Sequence, residues 1–411
     1  MERLLVKNIG LLQTPVGSYA HKGKEQGKNR KLKDAVMVSE DGVITKICSR
    51  SEFNEKENAF DFVIDVEGNL VTPGLIDAHT HLVFGGYRQH EIPLKLKGAD
   101  YLEILRQGGG ILDTVRKTRE ASFKELYDKS ESFLDEMLAL GVTTVEAKSG
   151  YGLDRDTEIK TLEVIKALSE NHPMTIVSSY MGAHAIPEEY KGKADLYIDK
   201  VCKSVMEEVK EKGLADFVDV FCEDSVFNVE QTERYLNMAK EMGFKLRIHA
   251  DEIEEIGGSV LAGKVKAKTA EHLIAIGEKG IEALRDGGVT AMLLPSTSFY
   301  LNKNFAPARR MIEEGVPVAI ATDFNPGSSP SLNLQFSVNL GYLKYRMTPE
   351  EILTAVTINP AAALNLEKRA GTLEEGKDMD LAVWNAQDME MLCYRFGSNL
   401  CAGTVKKGRL V

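Results

Sequence analysis

The sequence has few cysteines and no long apolar run. It contains five cysteines in 411 residues, and no two of them are spaced as Cys-x-x-Cys. Reduced thiols are therefore expected rather than a disulfide framework. No stretch approaches the roughly 18 apolar residues of a membrane-spanning helix, and the first residues do not read as a secretory leader. These absences predict a soluble, cytoplasmic protein.

A basic excess is missing as well. The 51 lysine and arginine residues are outnumbered by 62 aspartate and glutamate residues, which gives a net charge of −11. Nucleic acids and anionic membranes are recognised mainly through basic patches. We therefore expect neither nucleic acid nor a membrane as a partner.

The chain is long and contains two distinct sequence patterns. At roughly 150 residues per domain it can hold two to three domains. Both ends consist of short alternating runs with turn signals such as Asp41-Gly42, which are typical of β-hairpins. The long middle part alternates apolar β-branched runs with amphipathic helical stretches, as repeated β–α units do. We predict a β-domain part at 1–72, a barrel at 73–364 and a second β-domain part at 365–411.

The middle part contains eight apolar runs, which is the strand number of a TIM barrel. One intervening segment, residues 122–140, keeps a helical apolar face before Gly141, and TPEEILTAVTINPAAAL after the last run is expected as one helix. The fold class predicted is α/β, a (β/α)8 TIM-like barrel with a small β-sandwich domain formed from both chain ends. The eight runs begin near residues 75, 142, 174, 217, 245, 267, 289 and 317.

Metal-ligand residue types stand where several runs end, and active sites of such barrels lie at the carboxyl ends of the strands. His79 and His81 end the first run two residues apart, so both imidazoles share one face of the strand. His249 ends the fifth run and Asp323 the eighth. Three imidazoles and a carboxylate suit Zn²⁺ or Fe with one position left for water. His272 ends the sixth run and is either a further ligand or a nearby proton or oxyanion partner.

Four motifs resemble the amidohydrolase superfamily, whose members are metal-dependent hydrolases built on a (β/α)8 barrel with a flanking β-sandwich. Binuclear members usually carry a carboxylated lysine at the end of strand four, where this chain has FVDVFCEDS. The resemblance therefore implies the mononuclear branch, because Lys148 ends strand two and is a poor substitute. The four motifs are PGLIDAHTHL, KLRIHADE, TAEHL and AIATDFNPGS.

A more specific set of motifs resembles one group within the superfamily, which opens the ring of an anionic imidazolone with water. The motifs are VFGGYRQHE, KGADYLEILRQGGGI, EAKSGYGLD, MGAHAIPEEY, HADE and TDFNPGSSP. The resemblance implies that the metal ligands are His79, His81, His249 and Asp323. It places the substrate on Arg88, Tyr151, His184, Glu252, Asn325, Gly327 and Ser328. The catalytic residues expected are Glu252, His272, His184 and Asp323.

Physical chemistry agrees with these roles. The planar guanidinium of Arg88 suits a substrate carboxylate, and His184 can hydrogen-bond a ring carbonyl or the oxyanion formed from it. The turn after Asp323 is expected to present backbone N–H groups and a hydroxyl to the substrate. Glu252 follows His249 by three residues. It is assigned as the proton carrier for a water whose pKa the metal lowers from 15.7 toward about 7.

Two alternatives remain at this point. The same metal site could deaminate a nucleobase or open another cyclic amide, since fold and ligands do not determine the substrate. A metal-binding but inactive scaffold is the second. Arg88 argues against a neutral base, and Glu252 beside a complete ligand set argues against the scaffold. A homodimer is expected, the choice between zinc and iron stays open, and Gly108–Gly110 is expected as a mobile loop near the site.

Overall fold

The structure is a computed structural model that describes residues 2–54, 59–98 and 108–411. Its strands form two sheets. The terminal sheet uses β1 (Arg3–Thr14), β2 (Arg30–Glu40), β3 (Val43–Ser49), β4 (Phe62–Asp65), β5 (Leu70–Pro73), β14 (Leu381–Trp384), β15 (Cys401–Lys406) and β16 (Arg409–Leu410). The barrel uses β6 (Leu75–Thr80), β7 (Val142–Lys148), β8 (Thr175–Ala183), β9 (Phe217–Cys222), β10 (Lys245–Ala250), β11 (Thr269–His272), β12 (Thr290–Leu293) and β13 (Val318–Ile320).

The eight predicted apolar runs are the eight barrel strands. Neighbouring strands from β6 to β13 pair in parallel in chain order. An isolated bridge between Thr80 and Phe324 closes the barrel, and His81 N–H donates to the carbonyl of Phe324 at 2.9 Å. The predicted barrel with a β-domain from both chain ends is thereby confirmed, while its boundaries at 1–72, 73–364 and 365–411 stay a prediction.

The terminal β-domain is one mixed sheet in the order β16-β15-β14-β5-β1-β2-β3, with β4 also paired to β1. Its strands share an apolar cluster that includes Leu4, Met37 and Val383. Trp384 is fully buried, and its indole N–H donates to Thr72 Oγ1 at 2.8 Å. The two chain ends are therefore joined by backbone pairing and by a buried side-chain hydrogen bond.

Helices cover the outside of the barrel. The helix Phe123–Ala139 begins at a capping box between Ser122 and Glu125 and ends just before Gly141, whose φ is +90°. In the described part of the chain, no helix is long and apolar enough to cross a membrane. The other α-helices of the described residues are Ile92–Leu96, Ile111–Glu120, Arg155–Asn171, Ala194–Tyr197, Lys203–Lys212, Val229–Glu241, Gly258–Val265, Glu278–Gly287, Pro295–Tyr300, Ala308–Glu313, Leu334–Leu343, Pro349–Ala355, Ile358–Ala363 and Met389–Tyr394.

One helix prediction is wrong. The segment TPEEILTAVTINPAAAL forms two helices, Pro349–Ala355 and Ile358–Ala363, separated at Thr357 with φ −133° and ψ −86°. Pro360 lacks a backbone N–H, and in one continuous helix its ring would clash with the carbonyl of Val356. A restart at Ile358 places Pro360 in a first turn, where the missing donor costs little.

Candidate active site

The four predicted metal ligands meet at one mouth of the barrel. His79 lies near the end of β6, His81 directly after it, His249 near the end of β10, and Asp323 three residues after β13. Asp323 Oδ1 is 3.4 Å from His79 Nε2 and 3.6 Å from His81 Nε2. The rings of His79 and His249 are 4.7 Å apart, and all four side chains are buried.

The donor chemistry of this cluster fits a metal ion. Within the described residues, both ring nitrogens of His79 and the Nε2 of His249 are buried without a hydrogen-bond partner. Such orphaned nitrogens are costly unless something binds them. Burial lowers the pKa values of His79 and His81, and the nearby Lys148 ammonium lowers both further. Both imidazoles are therefore neutral, as metal ligands must be.

A second carboxylate orients His249. Its Nδ1 donates to Asp219 Oδ1 at 3.1 Å, which leaves Nε2 pointing away from Asp219 as the candidate ligand atom. Burial alone lowers the pKa of His249, but the charge of Asp219 outweighs it and the net shift is upward. Burial likewise opposes ionisation of Asp219, yet Lys148 Nζ at 2.8 Å holds its pKa well below the ordinary value.

The barrel interior beneath the ligands carries a buried ionic network that the sequence analysis missed. Lys148 Nζ lies 2.8 Å from both Glu146 Oε1 and Asp219 Oδ2. Arg247 pairs with Glu271 at 2.9 Å, and all these side chains are fully buried. Lys148 is thus a counter-ion between two carboxylates. The available signal was charge at alternate positions inside otherwise apolar strands.

Glu252 lies beside the ligand cluster. Its Oε2 is 3.4 Å from His272 Nε2. Burial, with the nearby charge of Asp323, raises the pKa of Glu252 to about 8. The preceding Asp251 has φ +49°, and the buried carboxylate of Glu223 accepts from the backbone N–H of Glu254 at 3.1 Å. The loop therefore holds a carboxyl group that can carry a proton near neutral pH.

His272 combines features of a ligand and of a partner for Glu252. Ligand atoms of His79, His249 and His272 all lie within 4.8 Å of one another. Burial, then the charge of His249, lowers the pKa of His272 well below its ordinary value. Its Nδ1 is buried with no partner in the part of the chain that is described.

Asp323 is held by a residue that was not predicted. Thr297 Oγ1, from the short helix Pro295–Tyr300, donates to Asp323 Oδ2 at 2.5 Å. The other carboxylate oxygen of Asp323, Oδ1, faces His79 and His81. Burial raises the pKa of Asp323 to about 6, and the Thr297 hydrogen bond opposes that shift. In the sequence, Thr297 is only the middle of a Ser-Thr-Ser run with no distinctive spacing.

Arg88 has one guanidinium edge occupied and one open. Its Nε and Nη2 donate to Glu91 Oε1 and Oε2 at 2.8 and 3.2 Å. Burial disfavours the Glu91 carboxylate, but Arg88 and the N–H of Gly110 lower its pKa to about 2. Nη1 makes no hydrogen bond to another described residue, and a Cβ added to Gly327 would lie 2.2 Å from it. The open edge thus faces the turn that follows Asp323.

His184 and Tyr151 form an aromatic wall next to His81. The ring of His184 stacks on His81 at 4.8 Å and 20°, and Tyr151 lies 5.6 Å from His81. Burial, then the charge of His249, lowers the pKa of His184 to about 3. Its Nδ1 donates to the carbonyl of Gly150 at 3.0 Å. The neutral ring therefore offers Nε2 as an acceptor only, so it cannot donate to a ring carbonyl or oxyanion as the sequence analysis expected.

The turn after Asp323 is built by the amide of Asn325. Its Oδ1 accepts from the N–H groups of Gly327 and Ser328 at 2.8 and 2.7 Å. Its Nδ2 donates to the carbonyl of Asp323 at 2.7 Å. The two backbone donors expected to face the substrate are thus engaged inside the turn.

The segment of residues 110–120, from the connection between β6 and β7, contacts the residues that hold Arg88. Gly110 donates to Glu91 and precedes the helix Ile111–Glu120, so the end of the Gly108–Gly110 run supports the anchor of Arg88. The rest of the KGADYLEILRQGGGI motif, residues 99–107, lies outside the described residues.

Comparisons with known proteins identify the family to which the chain is similar. The amidohydrolase family model matches residues 70–411. An imidazolonepropionase from Treponema denticola is 50% identical over 376 residues, which cover 91% of each chain. One from Alkaliphilus metalliredigens is 47% identical over 414 residues, covering 100% of this chain and 98% of the relative.

Two solved structures show the same fold at low sequence identity. Guanine deaminase from E. coli has a TM-score of 0.76 at 15% identity, covering 100% of this chain and 99% of that one. An adenosine deaminase from Xanthomonas campestris, solved with bound zinc, has a TM-score of 0.71 at 19% identity, covering 99% and 92%. At these identities the likeness concerns the fold alone.

Proposed function

Because the chain belongs to the amidohydrolase family and, within it, to the imidazolonepropionase group, we propose that the barrel mouth opens the ring of 4-imidazolone-5-propanoate with water. The product is N-formimidoyl-L-glutamate, formed in histidine degradation. The observation that carries the proposal is the open edge of Arg88, which faces the turn directly following the ligand Asp323. A carboxylate-binding cation and a ligand cluster thus share one mouth, as an anionic cyclic amide requires.

The family is metal-dependent, and the described residues contain groups able to bind a metal. We propose that His79, His81, His249 and Asp323 hold one ion, Zn²⁺ or Fe. When bound, it supplies Lewis-acid stabilisation for the attacking water and for the carbonyl under attack. Asp219 orients His249, and Thr297 orients Asp323.

Glu252 moves the proton in this proposal. Its carboxylate takes a proton from the water that attacks the ring carbonyl carbon. It returns that proton to the ring nitrogen as the carbon–nitrogen bond breaks. A pKa near 8 makes both protonation states accessible at neutral pH. His272, 3.4 Å from Oε2, positions the carboxyl group between these two tasks.

The substrate is proposed to lie between the aromatic wall and the turn after Asp323. Nη1 and the free N–H of Nη2 of Arg88 bind the propanoate, while Nε stays on Glu91. His184 accepts from a ring N–H, because its own proton is donated to Gly150. Tyr151 packs against the ring. Ser328 contributes its hydroxyl, and Asn325 and Gly327 shape the turn.

Metal analysis combined with turnover tests this proposal. We expect about one metal ion per chain and rapid hydrolysis of freshly generated 4-imidazolone-5-propanoate, with no turnover of guanine, cytosine or dihydroorotate. Protein that is replete in metal, ignores the first compound and hydrolyses another would contradict the proposed substrate. Protein that binds the metal and turns over none of them would support the inactive scaffold.

We also propose a homodimer. The helix Leu334–Leu343 packs against both Pro295–Tyr300 and Met389–Tyr394. These helices and the residues just after Met389–Tyr394 expose large apolar side chains. Tyr394 is 76% exposed and Phe396 52%, and such patches usually mark an interface. Light scattering is expected to give a dimer for the natural chain and a monomer for Tyr394→Glu with Phe396→Glu. A monomeric natural chain rejects this assignment.

We also propose a cytoplasmic location. All five cysteines are free thiols in the structure, and such usage is typical of reducing compartments.

A further inference from the structure

The segment that carries Arg88 is not part of the barrel sheet. We call residues 84–88, Phe-Gly-Gly-Tyr-Arg, the arginine turn. It lies directly on the helix Ile111–Glu120, because a Cβ at Gly85 would be 2.2 Å from the carbonyl oxygen of Lys117. Gly85 N–H donates to Thr118 Oγ1 at 2.9 Å, and Gly86 has φ +67°. The position of Arg88 therefore depends on side chains that hold this turn.

Lys129 makes the densest set of contacts to the arginine turn. Its Nζ donates to the carbonyl of Gly86 at 2.6 Å and to that of Phe84 at 3.2 Å. The same ammonium lies 3.9 Å from the ring centroids of both Phe84 and Tyr87, and 5.8 Å from that of Phe133. Two carbonyls and three aromatic rings thus surround one cation, which is the arrangement that binds ammonium groups.

This cation has no acidic partner. Among the described residues, no carboxylate lies within ion-pair distance of Lys129. Burial, then the charge of Lys117, lowers its pKa to about 8. Lys124 on the same helix is different, because its side chain is 82% exposed and pairs with Asp128. A half-buried ammonium without a counter-ion is unfavourable. If packing were the only role of this side chain, an apolar residue would make the folded state more stable.

We propose that Lys129 is a positioning residue that holds the arginine turn so that the open guanidinium edge of Arg88 meets the substrate carboxylate. The inference rests on the proposed function, in which Arg88 binds the propanoate. Lys129 acts through the backbone: its two hydrogen bonds bracket Gly85 and keep Gly86 in its left-handed conformation. Glu91 then fixes the side chain of Arg88, whereas Lys129 fixes the turn from which that side chain extends.

The metal side of the mouth touches the arginine turn through the edge-on contact of Phe84 with Phe324 at 5.8 Å, but its backbone has anchors of its own. Phe133 packs edge-on against Phe324 at 4.9 Å, and Phe324 directly follows the ligand Asp323. The backbone of Phe324 is held by His81 N–H, and the N–H of Asp323 donates to the carbonyl of His79 at 3.1 Å. Loss of the Lys129 ammonium should therefore displace Arg88 while the ligand cluster stays in place.

Lys129→Met tests this, because methionine fills similar volume without charge or donors. We expect KM for 4-imidazolone-5-propanoate to rise about tenfold, equivalent to ~1.4 kcal/mol of binding. The kcat at saturation should stay within about threefold, and metal content should not change. Lys124→Met, on the exposed face of the same helix, is the matched control and should leave KM unchanged. Should the methionine variant fail to fold, Lys129→Gln keeps a neutral donor and is expected to show a smaller rise in KM.

Arg88→Met separates failure of this inference from failure of the proposed function. If Arg88 binds the carboxylate, Arg88→Met raises KM strongly, and adding Lys129→Met to it raises KM no further. A normal KM in Arg88→Met would overturn the carboxylate assignment itself. A large effect of Arg88→Met beside a normal KM in the Lys129 variants would overturn only the role of Lys129. An additive rise in the double variant would also overturn it, since Lys129 would then act by another route.

Discussion

The ligand cluster and the arginine turn lie at the same barrel mouth, but they are anchored differently. His79, His81 and His249 extend from strand ends or directly after them, and buried charges such as Asp219 and Lys148 support them from below. Arg88 extends from a turn that lies on helices and is held by the side chains of Glu91 and Lys129. Parallel strands position ligands through many backbone hydrogen bonds, whereas a loop relies on a few side-chain contacts.

This difference predicts separate consequences for the strand side of the mouth, which carries His79, His81 and His249, and for the turn side, which carries Arg88. Changes on the strand side should lower kcat or metal affinity, because they alter the reacting groups. Changes on the turn side should raise KM, because they alter only how the substrate carboxylate is bound.

The largest effect is expected for Glu252→Gln. The amide cannot accept the proton from water, so kcat should fall at least about a hundredfold. Metal content should be unchanged, since Glu252 is outside the proposed ligand set, and KM should stay close to its natural value. Steady-state kinetics with metal quantification measure all three. Near-normal turnover would contradict the assignment of Glu252 as the proton carrier.

A smaller effect on the strand side is expected for Thr297→Val. The variant keeps the shape of the side chain but removes the hydroxyl that donates to Asp323 Oδ2. Loss of such an orienting hydrogen bond typically costs about tenfold or more in metal affinity. Competition with a chelator measures the change.

Ser298→Ala is the matched control for Thr297→Val. Ser298 Oγ is buried without a hydrogen-bond partner among the described residues, so its removal should leave metal affinity unchanged. Equal metal affinities in the two variants would mean that the Thr297 hydroxyl does not hold Asp323 in a ligating position.

A third effect concerns stability at alkaline pH and probes the turn side without touching the reacting groups. Burial lowers the pKa of Lys129 to about 8, compared with 10.5 for a free lysine. Between these values the unfolded chain binds more protons than the folded one, so stability rises with pH. Relative to Lys129→Met, the natural chain should gain about 1–3 kcal/mol from pH 7.5 to 10.5.

Melting temperatures of the two proteins across this range measure the gain. Lys124→Met should show no such gain, since hydrogen bonding to Asp128 raises the pKa of Lys124 instead. If the difference in melting temperature between the natural chain and Lys129→Met does not change with pH, the ammonium is not held in a desolvated position.

Much of the architecture was predictable because it depends on local pattern. Each of the eight barrel strands is a short apolar run, and His79, His81, His249 and Asp323 stand where such runs end. Once a barrel is recognised, strand ends must meet at one mouth. The helix break at Thr357 was missed because the apolar pattern continues through it, and only the position of Pro360 reports the restart.

The supporting residues could not be predicted in the same way. Asp219 and Glu271 lie in different strands, and neither has a spacing that indicates its partner. Thr297 belongs to a short polar run, and Lys129 belongs to the amphipathic helix Phe123–Ala139. Polar residues in segments of both kinds usually face solvent. The roles of the supporting residues follow from distances that arise only when the barrel closes and the arginine turn packs on the helix Ile111–Glu120.

The sequence by itself therefore determined the fold class, the ligand set expected of its family and the residue types at the mouth, since these follow from periodicity and from motif order. Only the tertiary structure decided which edge of Arg88 is open, that Lys148 is a counter-ion, and that Lys129 lies in an aromatic and carbonyl cage. The physical reason is that pairing between side chains distant in sequence depends on where the folded backbone places them, and local pattern carries no information about that distance.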